Sequence, residues 1–388
     1  MKTGVFNFLA QERVHFGVPA ADGIAAEVAQ RGASRLFVVT SKSLNRKTGA
    51  VSEALSRVQG QVVGLFDECI EHTPRDTVIA LTRRLRETKA DLIVSIGGGT
   101  VIDTVKVALV CLAEGVDDVD AMSEWHMRVN ADGSRVTPQP RMPPCRQIAV
   151  PTTLSGAEFS DLGGCTDTRH GTKQGYTGQW IGAAAVILDP RITMHTPERL
   201  WLSTGIRAVD HAVESLCSIN AQPLIDATSV RALALLGKSL TRYAEDPADL
   251  DARLDAQLGA WLASMGIRRT DYGASHGLGH ALGADSGVPH GITSCVLLPT
   301  VMRYNAETCA AQLAEVAQAL GDARRSAADQ VAELIARLGL PTHIGQLGIE
   351  RSRLAMIAEK GMAIPWVRTN PRKIDRVAQV MEILEAAW

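Results

Sequence analysis

Hydrophobic and polar positions follow two different rhythms along the chain. In the first half, short β-branched runs recur: "RLFVVT" (35–40), "QVVGLF" (61–66), "DLIVSI" (91–96), "RQIAVP" (146–151) and "AAAVILD" (183–189). They are too short for buried helices, and their unbroken apolar character is that of strands covered on both faces. Between two of them, "DTVIALTRRLRETKA" sets Val78, Leu81 and Leu85 at helical spacing, with Arg83, Arg84 and Glu87 on other faces. Strand, helix and strand in succession predict a mostly parallel sheet covered by helices.

After Asp189-Pro190 the rhythm changes. From Pro197 onwards "PLIDATSVRALALLGKSLTRYA", "ADLDARLDAQLGAWLASM", "AAQLAEVAQALG" and "DQVAELIARLG" all repeat with helical period, and no strand succession returns. The expected organisation is an α/β dinucleotide-binding domain over 1–190 and an all-helical domain over 191–388. The polar segment 113–145, ending "TPQPRMPPC", reads as a long surface excursion of the first domain, because a strand follows it directly.

Composition narrows the classes. A chain of 388 residues is too long for one small core and favours two domains. The formal net charge of -2 leaves no basic footprint, which argues against nucleic acid and anionic membrane surfaces as partners. The start, "MKTGVFNFLAQERVHFG", has no apolar core followed by a small-residue cleavage site, and no run is long and apolar enough to span a bilayer, so a cytoplasmic location is expected. The seven cysteines are odd in number, scattered and never arranged as CxxC, as reduced structural thiols would be.

Two loops carry candidate chemistry. In "DLIVSIGGGTVIDTVKVA" (91–108) a strand runs through Gly97, Gly98 and Gly99 into a helix expected from about Thr100. Glycines let a backbone approach a ligand, and the first amides of a helix offer unpaired N–H groups and a positive dipole end to a phosphate. The turn is neither GxGxxG nor a P-loop, and a tight connection is the plainer alternative. In "AVPTTLSGAE" (149–158) another strand leaves into a loop where Thr152, Thr153, Ser155 and Gly156 can line a nucleotide; a turn with capping hydroxyls is the alternative there. The two loops together favour a dinucleotide across the carboxyl edge of the sheet.

The helical half concentrates histidine. His211 lies in "AVDHAVES", and His276, His280 and His290 lie in "SHGLGHALGADSGVPHG", with His276 and His280 one helical turn apart and His290 in a Pro-His-Gly turn. A lone His on an apolar helix is usually a satisfied core residue, whereas several converging ones mark a functional cluster.

These motifs, in this order, resemble the iron-containing (group III) alcohol dehydrogenase superfamily over essentially the whole chain. "GGGTVIDTVK" matches the family's GGGSxxDxAK cofactor loop, including Asp103 and Lys106, and "HGLGHALGADSGVPHG" matches its HGxxHxLG…PHG element. The resemblance implies a dehydroquinate synthase-like architecture, an N-terminal dinucleotide-binding α/β domain followed by a helical domain, with the active site in the cleft between the two. It also implies a divalent metal, Fe or Zn, held by an Asp and three His. The family's GxDAxxHAxE helix falls here on Gly205, Arg207, His211 and Glu214, the other two ligands fall on His276 and His290, and His280 falls close to the nicotinamide. Arg207 thus stands where the ligand Asp belongs, and a guanidinium has no lone pair for a cation. Asp210 is a candidate replacement ligand, or a partner of Arg207 on the helix surface. Alternatively Arg207 takes over the metal's electrostatic role on a substrate carboxylate or carbonyl.

Within the superfamily, "PTTLSGAE" and the late "NPRK" (Asn370 to Lys373) are nearest to the maleylacetate reductase branch, whose dicarboxylate substrate suits an added Arg. The implied reaction is hydride transfer between NAD(H) or NADP(H) and a carbonyl or alcohol carbon of a small molecule. His280 would transfer the proton. A metal on His211, His276 and His290, or those imidazoles with Arg207, would stabilise the oxyanion. Reduction of an oxo acid such as maleylacetate leads, and metal-dependent oxidation of a small alcohol follows. A lyase resembling dehydroquinate synthase, with a Glu/His/His metal set, is the alternative of another class. Ser41 stands where NAD-specific relatives tend to have Asp, and with Lys42 and Arg46 nearby NADPH should be accepted alongside NADH. Analogy adds a homodimer.

Overall fold

The computed structural model describes residues 5–129 and 134–388. They condense into two units, one from Asn7 to Thr196 and one from Pro197 to Trp388, the second also taking in Phe6. Phe6 lies beneath the Arg269 guanidinium, 5.5 Å from the ring centroid.

In the first unit the strands are β1 (Arg13–Phe16), β2 (Leu36–Thr40), β3 (Val62–Phe66), β4 (Leu92–Gly97), β5 (Arg128–Val129), β6 (Arg135–Val136), β7 (Arg146–Pro151), β8 (Leu162–Asp167), β9 (Thr172–Thr177) and β10 (Ala185–Leu188). Its helices of two turns or more are α1 (Ala20–Arg31), α2 (Arg75–Thr88) and α3 (Gly99–Glu114), with short turns of helix at Lys42–Lys47 and Ala50–Ala54. One sheet runs in the order β1-β10-β7-β4-β2-β3, and every pair in it is parallel. The period of two along β2 sends Leu36 and Val38 into one core with α1, and Phe37 and Val39 into another with α2 and α3. Both faces are therefore covered, which is why the strand sequences are apolar throughout.

Two features escape the sequence pattern. β1 is an edge strand whose Arg13 and His15 side chains reach the buried Glu27 at 2.8 and 2.7 Å, so its sequence reads as polar. β8 and β9 form a separate antiparallel hairpin with two glycines in β8. The stretch expected as a surface excursion is partly packed: Met122 is fully buried in the core of α2 and α3, and β5 pairs with β6. Residues 130–133 of that stretch lie outside the described residues. All seven cysteines are free thiols, and burial pushes Cys111, Cys145 and Cys165 up to about 12.

The second unit is helical: α4 (Glu198–Leu216), α5 (Pro223–Glu245), α6 (Leu250–Ser264), α7 (Ala274–Ser286), α8 (His290–Tyr304), α9 (Ala310–Leu320), α10 (Ala327–Arg337), α11 (Leu354–Met362), the single turn α12 (Pro365–Arg368) and α13 (Val377–Ala386). Among its described residues there is no strand. His290 does not sit in a turn; Pro289 caps α8, and His290 is its first residue. Among the described residues no helix is long and apolar enough to cross a membrane.

Candidate functional site

The sheet of the first unit brings its two candidate loops together. The chain leaves β2 towards the α1 face and leaves β4 towards the opposite face, so the carboxyl ends of these neighbouring strands form a topological switch point. Gly97 ends β4, Gly98 caps α3, and the helix begins at Gly99, one residue before the expected Thr100. The amides of Gly98, Gly99 and Thr100 have no partner among the described residues, so the helix presents free N–H donors and the positive end of its dipole. Gly98 has ordinary angles (φ -83°, ψ -171°), so close approach, not conformation, explains the glycine. A Cβ there would meet Thr153 Cγ2 at 2.9 Å, and one on Gly99 would meet Ser155 Oγ at 3.1 Å. The loop after β7 thus packs on the glycine turn, secured by Thr152 N–H donating to the Gly97 carbonyl at 3.0 Å.

The other sequence candidates at this edge have structural partners. Ser41 follows β2 and its hydroxyl accepts from Leu44 N–H, capping Lys42–Lys47. Arg46 is committed to Asp67, at 2.7 and 3.0 Å, and this pair with Asn45 holds the Asp67 carboxyl down at about 2. Asp103 joins Lys106 at 3.1 Å and accepts from Gly164 N–H at 3.0 Å, while buried Lys106 donates to the Leu162 carbonyl at 2.8 Å. Asp103 and Lys106 therefore tie α3 to the β8–β9 hairpin.

In the second unit, α4 presents Arg207, Asp210, His211 and Glu214 along one stripe, and all four are buried. Glu214 caps the start of α7: it accepts from the N–H groups of Gly273, Ser275 and His276 at 3.0, 2.8 and 3.2 Å, satisfying donors that a helix N-terminus leaves open. The same carboxylate lies 2.8 Å from His276 Nδ1, so the cap also fixes the imidazole. A carboxylate only accepts, so Nδ1 is the donor. The opposite nitrogen, Nε2, lies 2.9 Å from His211 Nδ1, giving a chain Glu214–His276–His211. Tyr272 stacks on His276 with centroids 3.9 Å apart.

Arg207 and Asp210 do pair, at 3.4 Å, but in the interior and not on a solvated surface. Arg207 Nη1 also donates to Ser294 Oγ at 3.0 Å, and Asp210 Oδ2 accepts from Ser294 and Ser275 at 2.6 and 3.0 Å. Burial alone would raise the Asp210 carboxyl; His276, then Arg207, outweigh it and hold it well below the usual range. Nε and Nη2 of Arg207 have no partner among the described residues. His290 stands beside His280, with centroids 4.6 Å apart, and the Trp366 ring meets His280 edge-on at 4.8 Å.

The histidines thus gather as two pairs, His211 with His276 and His280 with His290. Asp210 faces the Nδ1 edge of His276, at 3.4 Å, opposite the Nε2 edge that meets His211, and with Glu214 and His276 it brings ligand atoms within 4.8 Å of one another. Sequence reasoning missed Tyr272, Ser275, Ser294 and Trp366, whose positions relative to the histidines only the helix packing defines. Asn370 of "NPRK" serves the structure, accepting from Ala274 N–H at 3.1 Å and pairing with Asn305, so that it anchors the first turn of α7.

With the site in view, comparisons with known proteins define the class. The family model described as iron-containing alcohol dehydrogenase matches residues 11–190, and that described as Fe-containing alcohol dehydrogenase family, C-terminal, matches residues 201–388. The chain belongs to the iron-containing alcohol dehydrogenase family and is an oxidoreductase. It is 34% identical to dehydrogenase FUM7 of Gibberella moniliformis, over 96% of this chain and 95% of that one. It is 29% identical to maleylacetate reductase of Burkholderia cepacia, over 97% of this chain and 95% of that one. The crystal structure of maleylacetate reductase from Agrobacterium tumefaciens superposes with a TM-score of 0.83 at 26% identity, covering 100% of this chain and 99% of that one.

Proposed function

We propose that this oxidoreductase uses NAD(H) or NADP(H) to transfer hydride to and from a small oxo acid such as maleylacetate, either at a carbonyl carbon or at a carbon–carbon double bond conjugated to it. The carrying observation is Arg207: a buried guanidinium in the histidine cluster with two N–H positions unpartnered among the described residues, which suits an anionic oxygen on the substrate. The nicotinamide, when bound, supplies or accepts the hydride. The free amides of Gly98, Gly99 and Thr100 fit its pyrophosphate, and Thr152, Thr153 and Ser155 lie beside them. His280, half-buried between His290 and Trp366, is the proposed proton carrier. Acceptance of NADPH alongside NADH now rests on Ser41 and exposed Lys42, because Arg46 is held by Asp67. The reading includes a cytoplasmic homodimer. The lyase alternative falls with the family assignment.

Steady-state kinetics of the full chain test it, with NADH and NADPH, on an oxo diacid such as maleylacetate and on a neutral aldehyde of similar length. One charge-assisted hydrogen-bonded contact is worth about 1.5–3 kcal/mol, so kcat/KM should favour the diacid by about tenfold or more. Equal rates, or preference for the aldehyde, would reject the oxo acid and return the small-alcohol reading.

A further inference from the structure

The family name carries a metal, and the donor set of this chain does not fit one. Three of the four family positions keep His211, His276 and His290, but the fourth is Arg207, which has only donors and stays charged. Two imidazole nitrogens bound to one tetrahedral ion at about 2.0–2.1 Å stand about 3.3 Å apart. His211 Nδ1 and His276 Nε2 are at 2.9 Å, the separation of a direct hydrogen bond. Asp210 and Glu214 both face the other edge of the His276 ring, at 3.4 and 2.8 Å from Nδ1. Among the described residues, Asp210, Glu214 and His276 do bring ligand atoms within 4.8 Å of one another. Asp210 Oδ1 is buried without a hydrogen-bond partner among the described residues, but Glu214 is filled by three backbone N–H groups, Asp210 Oδ2 by two serine hydroxyls and Arg207, and Nδ1 carries the proton that Glu214 accepts, so one open oxygen is all this group offers an ion. A divalent ion there would also face the guanidinium across a dry interior, where repulsion is poorly screened.

We infer that the helical unit binds no divalent metal at this place, and that Arg207 supplies the fixed positive charge instead. Asp210 and Ser294 hold Nη1 and so fix the plane of the guanidinium, leaving Nε and Nη2 as a fork for a substrate carboxylate or carbonyl oxygen. The part that concerns substrate rests on the proposed reaction; the part that concerns metal does not.

The test starts with metal content. Full-length protein purified without chelator should carry far less than stoichiometric iron or zinc by elemental mass spectrometry, and calorimetric titration with Zn²⁺ or, under anaerobic conditions, Fe²⁺ should give no site-specific heat. Arg207→Asp restores a carboxylate one turn before His211 and should gain a stoichiometric site that His211→Ala abolishes. Stoichiometric metal in the wild type, lost in His211→Ala, overturns the inference, as does equal affinity in wild type and Arg207→Asp. Should Arg207→Asp fail to fold, the wild-type measurement still decides the metal, and Arg207→Gln decides the charge: its KM for the oxo acid should rise about tenfold or more, with no recovery on adding Zn²⁺. An unchanged KM, or recovery with the ion, counts against Arg207 as the working cation. A metal-free protein that rejects every oxo acid would sink the proposed substrate and leave the metal inference standing.

Discussion

Arg207 and Asp210 show how much burial changes the worth of one ion pair. On a solvated helix face an i, i+3 pair contributes at most about 1 kcal/mol. Here Asp210 is fully buried and Arg207 is 8% exposed, so removing the guanidinium leaves a carboxylate in the interior with only two hydroxyls and one imidazole. Arg207→Ala should therefore cost about 3 kcal/mol in urea-induced unfolding of the helical unit. Neutralising both partners, Arg207→Met with Asp210→Asn, should recover a good part of that loss, because no unpaired charge remains. A loss below about 1 kcal/mol for Arg207→Ala would mean that solvent reaches Asp210 after all.

At the scale of elements, what could be read from sequence was whatever depends on local periodicity. The central strands were legible because both faces of the sheet are covered, and α5, α6, α9 and α10 because their apolar stripes repeat with helical period. β1 was not, because its edge position lets Arg13 and His15 reach Glu27 and hides the alternation. The start of α8 at His290 was missed because Pro-His-Gly is also turn chemistry; Pro289 immediately before the first turn was the available signal. His211, His276, His280 and His290 stood out as residue types, but their division into two pairs depends on Glu214 capping α7 from another helix, which no local pattern encodes. The glycine turn and the loop after β7 were each legible, but their contact was not, and it changes what a substitution there would report. A Cβ on Gly98 meets Thr153 Cγ2 at 2.9 Å, inside the first unit itself. Gly98→Ala should destabilise that unit by about 1–3 kcal/mol through overpacking and should weaken NADH binding in a fluorescence titration, since both loops must shift. Adding Thr153→Ser removes Cγ2 and should restore part of both. If Thr153→Ser restores nothing, the two loops do not act as one unit.

For the whole molecule, stability against pH depends on buried carboxyls pulled in opposite directions, and the first unit holds both kinds, of which Glu27 and Glu158 are examples. Burial pushes Glu27 up, but Arg13, His15 and Arg31 more than reverse this and hold it at about 2. The folded state then binds fewer protons than the unfolded chain, so this contribution is present above the ordinary value of 4.5 and is lost as pH falls towards about 2. Glu158 behaves the other way. It is 2% exposed, its Oε2 has no hydrogen-bond partner among the described residues, and burial, only partly offset by its own backbone N–H and by Lys106, pushes it up to about 7. Between 4.5 and about 7 the folded state keeps a proton that the unfolded chain has released, so stability falls as pH rises through that window. Glu27 thus contributes a loss of stability towards acid pH, and Glu158 a loss as pH rises towards neutrality. Glu158→Gln keeps the shape and removes the charge, so it should match the wild type near pH 4 and exceed it above pH 7 by on the order of 3 kcal/mol. Calorimetric or urea unfolding of both proteins at intervals between pH 4 and pH 8 measures the difference directly. A gap that stays constant across that range would show that Glu158 is ionised in the folded protein throughout, with a partner for its charge, and that it contributes no alkaline slope.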